Sequence, residues 1–299
     1  MTKKKIFFIH SRASAGGDFA YYLQYLYKPN SFICVPDIKK GCSLNTPRLR
    51  AEYREELLKK QFDDRTKKGD EINLIYGHIP YLKNYKKLFH NEFSCMTLLR
   101  DPVKRFVSHY RKDINQNNTL REFKEFIKTY QCVAGDLPSE ANNINFNWQT
   151  AFISGFYEYG TCYKNMTDEI LNIAKKNLEE FFFIGISDYF DDSVKLFSKL
   201  TSNKYIYHKP LKKYKANNVI PINQDILKYI KEKSYYDNCL YEYAKNIFFQ
   251  RKMKYENCEL IFPSKSEKYL IYPAIRLNII RCKAIAKLKN KFFDENIHI

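Results

Sequence analysis

The sequence predicts an α/β fold: a mainly parallel central sheet with helices on both faces, followed by a helix-rich C-terminal half. Three observations predict it. Short continuous apolar runs recur along the chain, as strands buried on both faces require. Between most of them lie longer stretches whose apolar residues repeat at helical spacing, so strand and helix alternate. Finally, 299 residues with 44% hydrophobic and 16% aromatic side chains suffice for one sizeable core.

The first apolar run, Ile6 to Ile9, ends in a loop of small residues, His10 to Gly17, before a helical pattern that begins at Asp18. Asp18 is placed to cap that helix, and Phe19, Tyr22, Leu23 and Leu26 fall on one face. Phe32 to Val35 reads as a second strand and Pro47 to Asp63 as a charged helix. Ile72 to Tyr76 reads as a third strand, closed by Gly77-His78-Ile79-Pro80. The fourth, Cys95 to Leu99, stops at Arg100. Asp101-Pro102 then starts a helix, because proline in the first turn gives up an N–H that has no partner there. In an open parallel sheet of this kind, ligands belong at the carboxyl ends of the strands.

From Thr119 to Leu200 the pattern is mostly helical, interrupted by a loop at Ala134 to Asn145 and a strand at Phe181 to Ile186, with Asp188 restarting a helix. A basic, helix-poor stretch, Lys209 to Asn218, precedes two helical patterns, Gln224 to Lys233 and Tyr236 to Arg251. Phe262-Pro263 marks a boundary, with a main domain over 1–262 and a basic amphipathic helical extension over 263–299. In the extension Ile275, Ile279, Ile280, Ile285 and Leu288 are set against Arg276, Arg281, Lys283, Lys287 and Lys291. Such a helix fits either a seat on its own domain or an anionic membrane surface.

Fifty-one Lys and Arg against 33 Asp and Glu leave a net charge of +18. That field favours polyanions, phosphorylated ligands or an anionic membrane, although biased codon usage also produces chains rich in Lys, Asn, Ile and Tyr. Nothing resembles a DNA- or RNA-reading module, so nucleic acid is not an expected partner. Eight scattered cysteines, without a CxxC pair or zinc-ligand spacing, predict reduced and mostly buried thiols. None of the six histidines is spaced to bind a metal, and no metal is expected. The Lys3 to Lys5 cluster precedes an apolar run too short for a signal segment, and no stretch approaches the ~20 apolar residues of a spanning helix. A cytoplasmic location follows as the expectation, with peripheral membrane contact open through the basic extension.

Two blocks carry chemistry. In the loop after the first strand, Ser14, Ala15, Gly16 and Gly17 let backbone N–H groups approach a phosphate at the positive end of the next helix. The same residues are also compatible with a simple tight turn. The loop lacks the GK[ST] ending of a nucleoside-triphosphate cradle, which disfavours a kinase or ATPase. The second block runs from Leu98 to Tyr110. It places Arg100 at a strand end and Ser108 two helical turns onward, a guanidinium and a hydroxyl for one terminal phosphate. The alternative pairs Arg100 with a nearby carboxylate and leaves Ser108 an ordinary helix residue.

Together and in this order, the blocks resemble the sulfotransferases that use 3′-phosphoadenosine 5′-phosphosulfate (PAPS). The resemblance is to the carbohydrate group that includes the uronyl and heparan 2-O-sulfotransferases and many bacterial relatives. His10 to Gly17 is similar to that family's first loop, and Arg100 through Tyr110 to its later Arg-Asp-Pro block. Gly77-His78 stands where the family has a Gly-His after a strand. Further similarity lies in Asn147-Trp148-Gln149-Thr150 with Gly155, in Phe183 to Ser193, and in Asp237 to Phe248.

The resemblance implies the sulfotransferase variant of the fold of P-loop nucleotide-binding proteins, with PAPS as donor and a carbohydrate hydroxyl as acceptor. Ser11, Arg12, Ala13, Ser14, Ala15, Gly16 and Gly17 would hold the 5′-phosphosulfate, and Arg100 with Ser108 the 3′-phosphate. His78 would be the general base, a task suited to an imidazole of ordinary pKa ~6.5. One residue departs from the pattern: Ala13 stands where the family has the lysine that steadies charge on the leaving oxygen. Arg12, beside it, is the candidate substitute, as a cation that does not readily give up a proton. Losing such a donor typically costs ~3–4 kcal/mol, about two to three powers of ten in rate. A family member that has lost catalysis and binds a nucleotide or glycan is therefore the second expectation.

Overall fold

The computed structural model describes residues 4–11, 13–27, 31–35, 47–81, 89, 92–117, 146–155, 166–204, 222 and 224–264, with the backbone alone for 47–54 and 112–117. Arg12, the loop expected at 134–145, the basic stretch at 209–218 and nearly all of the extension at 263–299 lie outside them.

The chain forms an α/β fold. Strands β1 (Ile6–Ile9), β2 (Phe32–Val35), β3 (Leu74–Gly77), β4 (Ser94–Leu99) and β5 (Phe183–Ile186) make one sheet in the order β2-β3-β1-β4-β5. Every pairing in it is parallel. β1, β3 and β5 are buried at every position, which is why their sequences are uninterrupted apolar runs. β2 lies at the edge and alternates, with Ile33 and Val35 buried and Cys34 exposed.

The helices are α1 (Gly16–Leu26), α2 (Pro47–Thr66), α3 (Pro102–Asn117), α4 (Trp148–Ser154), α5 (Asp168–Glu180), α6 (Phe190–Thr201), α7 (Gln224–Lys233) and α8 (Tyr235–Lys254). Phe19, Tyr22, Leu23 and Leu26 of α1 are all buried, as their spacing predicts. Phe19 stacks on Phe183 of β5 at 5.6 Å and meets Phe197 of α6 edge-on at 5.6 Å, so α1, the sheet and α6 share one aromatic core. A second, smaller cluster joins α3 to α7 through Phe106, Tyr110, Phe146 and Ile230, with Phe106 and Phe146 stacked at 4.6 Å.

Asp18 is not the cap of α1. The helix begins two residues earlier, with Ala15 in the cap position and Asp18 in the first turn. Gly16 decides this: a Cβ there would overlap the His10 imidazole, so only glycine lets the chain start its first turn against β1. The third strand spans Leu74–Gly77 where Ile72 to Tyr76 was expected, and Asn73 just before it still bonds to both neighbouring strands' ends, its N–H to Ser31 O at 2.7 Å and its carbonyl to Ile6 N at 2.8 Å. Among the described cysteines only Cys95 is buried, whereas Cys34 and Cys258 are exposed on an edge strand and beyond α8, so the expectation of mostly buried thiols fails for these two. Among the described residues no helix is long and apolar enough to cross a membrane.

Register sets the site. Ile9 pairs with Gly77 on one side and Thr97 on the other, and Leu99 pairs with Ile186. The residues that immediately follow β1, β3, β4 and β5 are therefore His10, His78, Arg100 and Ser187, all at one end of the sheet. From β1 the chain leaves toward β2, and from β4 toward β5, so the two central strands diverge there and open a crevice between their ends.

Candidate functional site

The loop after β1 folds tightly. Ser14 Oγ donates to Ser11 O at 2.6 Å, and Ala13 and Ala15 adopt left-handed conformations with φ of 60° and 58°. Each costs a residue other than glycine about 1–2 kcal/mol and persists only where neighbours hold it. Two do so here. Arg100 Nη1 donates to Ala13 O at 3.0 Å, and Ser187 Oγ donates to Ser14 O.

The first-turn N–H groups of Gly16 and Gly17 have no carbonyl four residues back within α1, whose start has no side-chain cap. Among the described residues nothing occupies the space where a side chain of Gly17 would stand. Ser11 is fully buried, and among the described residues its Oγ has no hydrogen-bond partner.

His78, after β3, is half-buried, and its Nδ1 lies 2.9 Å from His10 O. A carbonyl only accepts, so Nδ1 carries the proton and Nε2 of the neutral ring holds the lone pair. The two imidazoles lie 4.2 Å apart, inclined at 34°, and His10 stacks in turn on Phe8 at 5.5 Å. The position of the His78 ring is thus built from β1.

Arg100 sits between the last residue of β4 and the cap of α3, where Asp101 Oδ1 accepts Lys104 N at 2.8 Å. Its backbone is gripped by Gln149 of α4: Arg100 N donates to Oε1 at 2.9 Å, and Nε2 donates to Arg100 O at 2.8 Å. Burial pulls the guanidinium below its ordinary value while Asp188 and Asp101 push the other way, and it stays cationic. Asp188 and Asp101 act on Arg100 through their charge, and among the described residues no carboxylate hydrogen-bonds it. Asp188 instead accepts from Lys104 Nζ at 2.5 Å, Asp101 N at 3.1 Å and Tyr241 Oη at 2.9 Å. Burial raises the Asp188 carboxyl, but these donors outweigh it and hold the group below its ordinary range.

Behind Gln149 lies Asp237 of α8, fully buried. Its carboxylate caps α4 from outside, accepting Gln149 N at 3.2 Å, Thr150 N at 2.8 Å and Thr150 Oγ1 at 2.9 Å. Buried Arg105 of α3 places Nε 4.0 Å from it. Burial pushes the Asp237 carboxyl above its ordinary value against the pull of Arg105 and these donors.

The structure thus brings Ser11, Ala13, Ser14, Ala15, Gly16, Gly17, His78 and Arg100 to one end of the sheet. Arg12 lies outside the described residues. Ser108 is half-buried on α3, and among the described residues no hydrogen bond ties it to Arg100. Sequence reasoning missed His10, Gln149 and Ser187 as builders of this site. For His10 and Ser187 the signal was present: each is the first residue after an apolar run, the position from which parallel sheets present ligand groups. For Gln149 no local signal exists, because its partner is 49 residues away. Among the described residues no cluster of side chains suits a metal ion.

No family model matches the chain. It is similar to heparan-sulfate 6-O-sulfotransferase 1 of Cricetulus griseus, 25% identical over 186 residues that cover 54% of this chain and 45% of that protein. It is also similar to heparan-sulfate 6-O-sulfotransferase 2 of Homo sapiens, 26% identical over 185 residues covering 53% and 30%. A third relative, heparan-sulfate 6-O-sulfotransferase 3 of Mus musculus, is 27% identical over 186 residues covering 53% and 38%. The chain spans less than half the length of these relatives. The similarity is weak, and it supports a carbohydrate sulfotransferase family. It lends no support to the narrower kinship with 2-O enzymes or bacterial-type members.

Proposed function

We propose that this chain is a sulfotransferase that moves a sulfuryl group from PAPS to a hydroxyl of a carbohydrate, a surface glycan by preference. The observation that carries the reading is the bond from Arg100 Nη1 to Ala13 O, at 3.0 Å. It joins two separated sequence blocks, the small-residue loop and the Arg-Asp-Pro segment, across one crevice. A doubly phosphorylated nucleotide fits this end of the sheet. The first-turn N–H groups of α1, the space at Gly17 and the buried Ser11 Oγ suit one anionic group, and the remaining N–H groups of Arg100 suit another.

In this reading PAPS supplies the activated sulfuryl group, and the chain's residues bind, orient and move a proton. The loop from Ser11 to Gly17 holds the 5′-phosphosulfate. Arg100, with Ser108 on the adjoining helix, holds the 3′-phosphate. His78 takes the acceptor hydroxyl proton on Nε2, the nitrogen left basic by the Nδ1 bond to His10 O. Arg12, next to Ala13 in the sequence, takes the family lysine's part as the cation for the leaving oxygen. The net charge of +18 favours collection of an acidic saccharide and of the donor alike.

A second reading rests on Ala13, which stands in the sequence where the resembling family's pattern has its lysine: a protein of the same fold that binds the nucleotide or a glycan without catalysis. The first reading requires nucleotide binding. Phosphoadenosine phosphate should therefore raise the melting temperature of the purified protein, by the equivalent of about 2.7 kcal/mol at a hundredfold excess over Kd. Arg100→Ala should abolish the shift. Wild-type protein with no shift at excess ligand overturns the nucleotide assignment.

A further inference from the structure

We infer that Gln149 is a positioning residue for Arg100, and that selectivity for a nucleotide carrying a 3′-phosphate depends on it. This rests on the reading of Arg100 as a phosphate ligand.

Arg100 is a single residue between two regular elements. β4 ends at Leu99, and the cap of α3 is Asp101, so the N–H and C=O of Arg100 belong to neither the sheet ladder nor the helix. Both are taken by one planar amide, Gln149, through two bonds of 2.9 and 2.8 Å. A neutral amide offers one donor and one acceptor side by side. A carboxylate of the same length cannot donate to the carbonyl, and asparagine is one methylene shorter.

The amide is itself fixed. Gln149 is 1% exposed and stands in the first turn of α4, whose N–H groups at Gln149 and Thr150 are bonded to the buried Asp237. The chain of support runs from Asp237 through Gln149 to the Arg100 backbone, and from there along the side chain to the guanidinium at Ala13 O. A small rotation at the Arg100 backbone is magnified at the end of so long a side chain, and misplacement of about 1 Å at a binding group is costly in a preorganised site.

The test measures Kd for phosphoadenosine phosphate and for adenosine 5′-phosphate, which lacks the 3′-phosphate. Wild-type protein should prefer the former. Gln149→Met, of equal length without the amide, should cut that preference at least tenfold while holding adenosine 5′-phosphate as wild type does. In an Arg100→Ala background the same substitution should leave the ratio unchanged. Gln149→Leu, which lacks both donor and acceptor, should behave like Gln149→Met and serves if the latter does not fold.

Equal weakening of both nucleotides, or an unaltered ratio in a folded variant, shows a merely structural role and overturns the inference. A wild-type protein that binds both nucleotides equally well overturns the phosphate reading of Arg100 instead, and the inference falls with it.

Discussion

At residue scale the decisive position is Ala13. Its φ of 60° is no barrier to a longer side chain, since alanine already bears the Cβ that this backbone region disfavours. Ala13→Lys therefore adds an ammonium to the loop without new backbone strain. With labelled sulfate from PAPS and a panel of neutral and acidic saccharides, Ala13→Lys should leave transfer near the wild-type rate, because Arg12 already supplies the cation; a rise of two to three powers of ten, the weight of one transition-state donor, would show that it does not. His78→Ala should remove transfer. Transfer by neither Ala13→Lys nor wild type, with nucleotide bound, would establish the binding-protein reading. The departure at Ala13 was legible in the sequence, whereas the carbonyl of the same residue as the seat of the Arg100 guanidinium was not.

At the scale of elements, α4 is a short helix whose placement depends on a carboxylate from another helix. Asp237 lies on α8, 87 residues from Thr150, yet it supplies the cap that α4 lacks in its own sequence. Asp237→Asn keeps the shape but sets an amide donor toward a backbone N–H and removes the partner of Arg105. Breaking a buried pair of this kind typically costs about 3–5 kcal/mol. Urea unfolding should show a loss of that size, and a loss below about 1 kcal/mol would contradict the role given to Asp237. The strands were legible to within about two residues because their apolar runs are local. The start of α1 was not, because it depends on the contact between Gly16 and His10 rather than on the capping preference of Asp18.

For the molecule as a whole, Asp188 ties α3, α8 and the end of β5 together through Lys104, the Asp101 N–H and Tyr241. Its carboxyl is held below its ordinary value, so the folded chain binds this proton more weakly than the unfolded chain. The stability it contributes is in place above the ordinary aspartate range, near pH 4, and is lost as pH falls through the folded value. The difference in unfolding free energy between wild type and Asp188→Asn should therefore be largest near neutrality and shrink below about pH 4. A difference that stays constant from pH 7 to pH 2.5 would show that the carboxylate charge is not what holds these elements.

The sequence by itself determined the alternation of strand and helix, the parallel sheet, and the residue types gathered at strand ends, because apolar spacing and small-residue loops are local properties of a chain. Only the tertiary structure decided which of them meet. The sheet order β2-β3-β1-β4-β5 sets His78 against His10 and Arg100 against Ala13, and a helix far along the chain sends Gln149 to the Arg100 backbone. Those meetings follow from strand register and buried polar satisfaction, which act across separations that no local pattern encodes.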